Sequence, residues 1–166
     1  MTQLPRSYDP LTLPDLRTLR DVAVNEHDSF IRRNPHLAKS YGNSLVAICL
    51  CQGAASHYLD PRIGIKDFDV WHFYLDDPKV PFPYRAHRRI DRGFKGKPLD
   101  FLKRSISRHR GLALAECHLL LLNYLLESDT QTKRMLLRKA VIGLYPQEIF
   151  DLVIWPGLPA QDVAGG

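Results

Sequence analysis

The sequence predicts a single α/β (α+β) domain: a small mixed sheet flanked by helices, with a C-terminal helical tail. Short apolar runs typical of buried strands alternate with segments whose apolar residues recur at helical spacing. The chain has 166 residues, of which 45% are hydrophobic and 25% charged, and this excludes wholesale disorder. We expect a core over residues 1–110 and a helical extension over residues 111–166 that packs on the same domain.

The first half of the chain predicts two helices and two strands. From Asp15 onward, apolar residues recur at helical spacing and indicate a helix that ends before Pro35. Residues 45–51 form a continuous apolar run that predicts a buried strand, and residues 54–58 suit a short helix. Residues 67–75 are aromatic and strand-like, and an Asp-Asp-Pro sequence ends this second strand.

The middle of the chain predicts an irregular excursion that leads into another strand. Residues 78–98 are rich in proline, glycine and basic side chains, which is typical of a long connection. Within it, residues 87–90 suit a short strand, and a strand-like run resumes at residues 99–102.

The positive charge is concentrated in one segment of the chain. Residues 85–110 contain ten basic and two acidic side chains, a net charge of +8, so the rest of the chain carries −3 of the total of +5. Such a segment indicates a site for a polyanion, either nucleotide phosphates or RNA, or else a solvated basic surface. The basic residues are Arg85, Arg88, Arg89, Arg92, Lys95, Lys97, Lys103, Arg104, Arg108 and Arg110.

The C-terminal third predicts helices. Residues 111–126 form a strongly apolar helix whose wide apolar face suits the core, or self-association into a homo-oligomer. An N-cap at residues 128–130 opens a second helix that continues to about residue 144. Tyr145-Pro146 begins a third, short helix.

The sequence predicts a cytoplasmic protein without a membrane partner. The N-terminus lacks the charged and apolar regions of a signal peptide, and the longest apolar stretch is too short and too polar to span a bilayer. Three cysteines are an odd number, which favours a reducing compartment and buried free thiols over a disulfide framework.

Two aspartates on the second predicted strand form the first candidate site. Asp67 and Asp69 are two residues apart, so strand alternation places both carboxylates on one face. Two close carboxylates resist joint ionisation unless a cation lies between them, and carboxylate oxygens are the ligands that Mg²⁺ prefers. The alternative is that this pair is a charged strand edge that blocks edge-to-edge pairing.

Asp100, on the following strand, is the candidate third carboxylate of a two-metal site. Asp91 is a nearby competitor for that role. The alternative for Asp100 is a salt bridge with Lys103 or Arg104.

Gly53 and Ala54 lie where the first predicted strand ends and a helix begins. This junction lets backbone N–H groups and a helix N-terminus approach phosphate oxygens closely. The alternative is a tight turn with no ligand.

The ordered combination of these features resembles the nucleotidyltransferase superfamily with the DNA polymerase β-like fold. The resemblance rests on an apolar strand, Gly53-Ala54, the Asp67-Phe-Asp69-Val sequence and the later Asp100, and it covers roughly residues 45–106. It implies a sheet of the nucleotidyltransferase type and an enzyme that transfers a nucleoside monophosphate from a nucleoside triphosphate to an acceptor hydroxyl. Asp67, Asp69 and Asp100 would then be the catalytic, metal-binding residues for Mg²⁺ or Mn²⁺.

The resemblance also suggests which residues bind the nucleotide. Gly53 and Ala54 would cradle the triphosphate, and the basic side chains Arg88, Arg89, Lys103 and Arg104 are candidates for phosphate contacts. Ala54 occupies a position where the family has Gly or Ser, so a hydroxyl contact is lost there unless Ser56 replaces it. The acceptor stays open between RNA, a protein and a small molecule.

Two other classes of function remain at this stage. Ala54 and the basic segment also suit a catalytically inactive nucleotide- or RNA-binding module of the same fold, of a toxin–antitoxin-like kind. The third class is a structural protein whose leucine-rich helix docks a partner.

Overall fold

The computed structural model describes residues 5–83, 87–108, 111–127 and 130–156. These residues form five α-helices and six strands, and short 3-10 turns follow several of them. The helices and strands are, in chain order, α1 (Leu13–Arg33), α2 (Ala38–Tyr41), β1 (Leu45–Cys51), α3 (Gln52–Leu59), β2 (Phe68–Leu75), β3 (Arg88–Phe94), β4 (Lys97–Ile106), α4 (Cys117–Glu127), α5 (Gln131–Leu136), β5 (Ala140–Tyr145) and β6 (Val153–Trp155).

The strands form one mixed sheet in the order β3-β4-β2-β1-β5-β6. β1 lies antiparallel to β2 on one side and to β5 on the other, whereas β2 and β4 are parallel. β3 and β4 form a hairpin whose two turn residues, Lys95 and Gly96, both have positive φ, as a type I′ turn requires. The prediction of an α/β domain with a mixed sheet and flanking helices is therefore confirmed.

Helix α1 begins and ends at local signals in the sequence. Thr12 caps its N-terminus, because the Thr12 hydroxyl accepts a bond from the Asp15 N–H and the Asp15 carboxylate accepts one from the Thr12 N–H. Pro14 stands in the first turn, where its missing N–H costs nothing, and the helix ends two residues before Pro35. Leu16 and Leu19 are fully buried on the side of the helix that faces the sheet.

The sheet has an apolar layer on each face. On one face, α1 and α3 pack on alternate residues of the central strands, among them Phe68, Val70 and Phe101. On the other face, α4 and α5 cover a second cluster that includes Trp71 and Phe73. The two clusters follow from the alternation of side chains along each strand.

The C-terminal part of the chain is not a purely helical tail, and this prediction was wrong. The helix capped by Thr130 ends at Leu136 instead of continuing to residue 144, and residues 140–145 form β5 beside β1. Strands that are buried on both faces are continuous apolar runs with β-branched residues, and residues 140–145 are such a run. Gly143 fits this position because a Cβ there would collide with the carbonyl oxygen of Ile149. Ser128, Asp129 and residues 157–166 lie outside the described residues.

The leucine-rich helix α4 is mainly a core element. Leu120, Leu121 and Leu125 are buried in the cluster beneath it, while Leu119 and Leu126 are exposed. Self-association through this helix stays a prediction. In the four described stretches of chain, no helix combines the length and the apolar character that crossing a membrane would take.

Candidate active site

The topology brings the three candidate carboxylates to one end of the sheet. β2 begins directly after Asp67, and the parallel register of β2 and β4 places Asp69 beside Asp100. Neighbouring strands lie about 4.8 Å apart, so the Asp69 and Asp100 side chains leave adjacent backbones on the same face. Asp91 instead lies on β3 with its side chain 95% exposed. The structure thus brings Asp100, and not Asp91, to the Asp67–Asp69 pair.

The electrostatics of the cluster centre on Asp69. Its carboxyl is half-buried, and burial, followed by the negative charges of Asp67 and Asp100, raises its pKa to about 7. The positive charges of Arg89 and Lys139 oppose this shift but do not cancel it. The cluster is therefore short of positive charge near neutral pH.

Arg89, on β3, forms a salt bridge with a member of the carboxylate cluster. In the antiparallel register Arg89 lies opposite Asp100, and its Nη1 is 2.8 Å from Asp100 Oδ2. The expected alternative partners of Asp100 were Lys103 and Arg104, and the structure assigns the salt bridge to Arg89 instead. This guanidinium occupies one of the oxygens through which Asp100 would bind a cation.

The N-terminus of α3 lies beside the same row of residues. Cys51, the last residue of β1, pairs with Asp69, and α3 follows immediately through Gln52, whose φ is 58°. Within the described residues, the Cys51 side chain makes no capping hydrogen bond to the helix. Gln52 itself forms an antiparallel bridge with Ala140, and the N-terminus of α3 that follows it is a kind of site that favours an anion.

Lys139 is a site residue that sequence analysis missed. A Cβ on Gly53 would lie 3.8 Å from Lys139 Nζ, so the ammonium group stands over the start of α3. Lys139 directly precedes β5, the strand that was interpreted as a helix. The available signal was a lysine placed immediately before a β-branched apolar run.

Ala54 and Ser56 take positions of different kinds on α3. The Ala54 side chain is buried in the apolar core, so Ala54 can offer a ligand only its backbone. Ser56 is half-buried in the middle of the helix, a turn beyond the first N–H groups. Gly53 is accordingly the predicted phosphate-binding residue that the structure places at the helix N-terminus beside Lys139.

The other predicted phosphate contacts do not join the carboxylates. Arg88 and Lys103 belong to the opposite face of the sheet, where both pair with Glu26 of α1, at 2.9 Å and 2.7 Å respectively. Arg104 shares the face of Asp100 but lies four residues further along β4, about 13 Å away, with its guanidinium 5.1 Å from the centre of the Tyr124 ring.

The Glu26 cluster is a buried structural network. Glu26 and Lys103 are each 3% exposed, and Arg33 is a further partner of the Glu26 carboxylate at 3.1 Å. Burial alone would raise the pKa of Glu26, but the hydrogen bonds and charges of its three basic partners lower it. Two predicted phosphate ligands, Arg88 and Lys103, are therefore engaged in stabilising the packing of α1 on β4.

The buried histidines also serve the fold. His57 Nε2 lies 2.7 Å from the carbonyl oxygen of Asp9, and His72 Nε2 lies 2.9 Å from that of Ala23. Burial lowers the pKa of His72 to about 4, so its ring is neutral at physiological pH. Both rings join separate segments of the chain by hydrogen bonds to backbone.

The donor type at the carboxylate cluster fits a hard divalent cation. Asp69 and Asp100 share one face with Asp67 just before β2, and burial, followed by the negative charges of Asp67 and Asp100, raises the pKa of Asp69, so a bound cation would stabilise its charged form. Across the described ranges, no three Asp, Glu, His or Cys side chains already stand in the arrangement of a metal site. A cation would bind Asp100 through Oδ1, or through Oδ2 after that oxygen exchanges the Arg89 guanidinium for the metal.

Comparison with known protein families, with curated proteins and with solved structures returned no match to this chain. The functional argument therefore rests on the geometry and chemistry of the site.

Proposed function

We propose that the protein is a metal-dependent nucleotidyltransferase, which transfers a nucleoside monophosphate from a nucleoside triphosphate to an acceptor hydroxyl and releases pyrophosphate. The observation that supports this best is the convergence of Asp67, Asp69 and Asp100 at the sheet end where α3 begins. A cation-binding set and an anion-binding helix terminus side by side suit a metal–triphosphate complex.

Each part of the site has a role in this reaction. The carboxylates of Asp67, Asp69 and Asp100 would hold Mg²⁺ or Mn²⁺, and the metal, when bound, would supply the positive charge that stabilises the transferred phosphoryl group. The N–H groups at the start of α3 and the Lys139 ammonium bind the phosphate oxygens. Asp100 Oδ2, once released from Arg89, accepts the proton of the attacking hydroxyl. Arg89 is then free to bind a phosphate oxygen.

Two observations favour the second candidate, a catalytically inactive nucleotide-binding module. The Arg89–Asp100 salt bridge already neutralises the third carboxylate, and Ala54 offers no hydroxyl to the phosphates. If the Arg89–Asp100 salt bridge persists when a nucleotide binds, the site still holds the nucleotide through α3 and Lys139, but Asp100 cannot deprotonate an acceptor hydroxyl.

The test is transfer of label from each of the four α-³²P ribonucleoside triphosphates with Mg²⁺ or Mn²⁺, together with pyrophosphate release. Pools of RNA, protein and small hydroxylated compounds are supplied as acceptors. We expect metal-dependent transfer that Asp69→Asn abolishes and the exposed control Asp91→Asn retains. Metal-dependent binding without pyrophosphate release identifies the inactive module, and the absence of both binding and release contradicts the proposal.

A further inference from the structure

A pocket lies at the carboxyl ends of the parallel strands β2 and β4. It occupies about 340 Å³ between the end of β4 and the last turns of α4, a volume that suits a small metabolite. Ligands of open α/β sheets commonly bind just outside the carboxyl ends of parallel strands. The walls of the pocket include Arg104, Arg108, Asn123, Tyr124, Glu127 and Thr130.

The pocket is separate from the carboxylate cluster. Arg104 lies four residues along β4 from Asp100, about 13 Å away, and Arg108 follows the end of the same strand. The carboxylates stand near the beginning of β2 and β4, whereas the pocket stands near their ends. A ligand held here therefore uses neither the carboxylates nor the start of α3.

Two arginines give the pocket positive charge. Arg104 Nε donates to the carbonyl oxygen of Ser105 at 3.1 Å, and the Arg104 guanidinium lies 5.1 Å from the centre of the Tyr124 ring. Arg108 Nε donates to the carbonyl oxygen of Asp76 at 3.3 Å. Neither guanidinium forms a salt bridge with a carboxylate in the described ranges. Because uncharged partners orient both groups, their charge stays available to an anion such as phosphate.

A pair of hydroxyl groups in the same pocket supplies a further donor. Tyr124 OH and Thr130 Oγ1 are 2.9 Å apart, and Thr130 Oγ1 also accepts a bond from the Lys133 N–H at 3.2 Å. The two hydroxyls carry two hydrogen atoms but share one hydrogen bond, so one hydrogen is left for another acceptor. An oxygen of a bound phosphate can accept it.

The end of α4 adds a negative charge to the pocket. In the amide orientation that satisfies its hydrogen bonds, Asn123 Nδ2 donates to the two carboxylate oxygens of Glu127 at 2.9 Å and 2.8 Å. Among the residues that the structure describes, no salt bridge joins Glu127 to Arg104 or Arg108, although all three line the pocket. A carboxylate repels phosphate but accepts hydrogen bonds from hydroxyl groups. The pocket therefore suits a ligand that carries a phosphate and several hydroxyls.

We propose that this pocket binds a sugar phosphate. The Arg104 and Arg108 guanidinium groups and the Tyr124–Thr130 hydroxyl pair hold the phosphate, and the Glu127 carboxylate accepts hydrogen bonds from the sugar hydroxyls. The assignment goes beyond nucleotidyl transfer and does not rest on it, because binding here requires no metal and none of the carboxylates of the candidate active site.

Calorimetric titration of the full chain without metal tests the proposal. The probes are ribose 5-phosphate, glucose 6-phosphate and fructose 6-phosphate, with ribose and inorganic phosphate as partial ligands. We expect saturable binding of at least one sugar phosphate, weaker binding of inorganic phosphate and no binding of ribose. Arg108→Gln should weaken the sugar phosphate roughly tenfold or more, whereas Arg17→Gln, at an exposed position on α1, should leave it unchanged. Absence of binding for all three sugar phosphates, or equal affinity in Arg108→Gln, overturns the proposal.

Two further variants separate the phosphate and sugar contacts. Arg104→Lys keeps a positive charge beside the Tyr124 ring but removes the planar fork, so affinity should fall while thermal stability without ligand is retained. Glu127→Gln should weaken the sugar phosphate but not inorganic phosphate. An unchanged affinity for the sugar phosphate in both variants contradicts the assigned contacts.

A variant at the start of α3 distinguishes this site from the proposed triphosphate site. Lys139→Gln should leave the affinity for the sugar phosphate unchanged. If Lys139→Gln weakens it and Arg108→Gln does not, the phosphate binds at α3 and the pocket is rejected. Sugar phosphate binding that depends on Arg108, without any metal-dependent triphosphate binding, keeps the pocket and rejects the nucleotidyltransferase.

Discussion

Among the candidate site residues, Asp69 is the one expected to lower the stability of the folded protein most. Its carboxyl is partly removed from water and lies near the negative charges of Asp67 and Asp100, and its pKa of about 7 lies well above the ordinary 3.8. The charged form is therefore disfavoured in the folded protein, and a ligand that neutralises it repays this cost.

Stability should fall as the pH rises through the titration of Asp69. Between about pH 4 and pH 7 the folded protein binds more protons than the unfolded chain, so the free energy of unfolding decreases over that range by up to about 4 kcal/mol. Asp69→Asn should remove this decrease, so that the metal-free variant is more stable than the natural protein at pH 8. Urea unfolding of both proteins at several pH values measures it. Parallel pH profiles would show that Asp69 is not perturbed.

Glu26 is the residue whose loss should damage the fold most. Glu26→Gln removes the negative charge with which Lys103 and Arg88 pair, which should cost about 3–5 kcal/mol of unfolding free energy. The matched control is Glu127→Gln at an exposed position, with an expected change within about 0.5 kcal/mol. Urea unfolding compares the two variants, and similar small losses in both would contradict a structural role for the cluster.

At the scale of elements, the sequence predicts the first strands of the sheet but not β5. β1 and β2 are recognised because continuous apolar runs end at clear turn signals, and the spacing of Asp67 and Asp69 is meaningful on any strand. β5 was not predicted because its apolar run follows α5 without a proline or glycine between them. The sequence pattern therefore indicates one continuous helix over both elements. Residues 140–145 form a strand because they pair with β1, and this long-range pairing leaves no local signal in the sequence.

Two contacts of the site depend on pairing that no local pattern encodes. Arg89 meets Asp100 through the register of the β3–β4 hairpin, and Lys139 reaches Gly53 because β5 lies next to β1. Sequence reasoning therefore finds the carboxylates and the start of α3 but not the cations that surround them.

Replacing Gly53 at the start of α3 with alanine should preserve the stability of the protein but weaken the binding of a triphosphate. A Cβ at Gly53 meets Lys139 Nζ at an ordinary 3.8 Å, so Gly53→Ala should leave stability unchanged or raise it by up to about 1 kcal/mol. The added methyl group stands beside Lys139 Nζ at the start of the helix, where the phosphates are proposed to bind, and we expect at least tenfold weaker triphosphate binding. Thermal unfolding and calorimetric titration measure the two effects.

Gly96→Ala is the control for Gly53→Ala, and here stability should fall while triphosphate binding is retained. Gly96 has a φ of +74° in the β3–β4 turn, so an alanine there should cost about 1–2 kcal/mol of stability while triphosphate binding is retained. If Gly53→Ala also retains full binding, the junction is a tight turn and not a phosphate site.

At the scale of the whole molecule, the basic segment is less available than its net charge suggests. Arg88 and Lys103 pair with Glu26, Arg89 with Asp100, and Lys95 with Asp15. Arg85 and Arg110 lie outside the described residues. Much of the charge of +8 thus serves internal contacts, which favours a compact nucleotide site over an extended RNA surface.

Binding to single-stranded RNA should accordingly be weak. We expect no saturable binding of a mixed-sequence RNA at 150 mM salt, and a shallow dependence on salt below that concentration. Arg88, Arg89, Lys95 and Lys103 pair with carboxylates of the protein, so they are not available to neutralise phosphates and release the counterions of the RNA. Fluorescence anisotropy over a salt series measures this. Tight binding with a steep salt dependence would favour the RNA-binding module.

The most direct test of the central claim is calorimetric titration of the protein with each nucleoside triphosphate, with and without Mg²⁺. It is made at pH 8, where Asp69 is mostly ionised. We expect at least one triphosphate to bind only with Mg²⁺, with affinity at least a hundredfold lower in Asp69→Asn and unchanged in Asp91→Asn. Binding that is absent for all four triphosphates, or equal in Asp69→Asn, would contradict a metal–nucleotide site at these carboxylates.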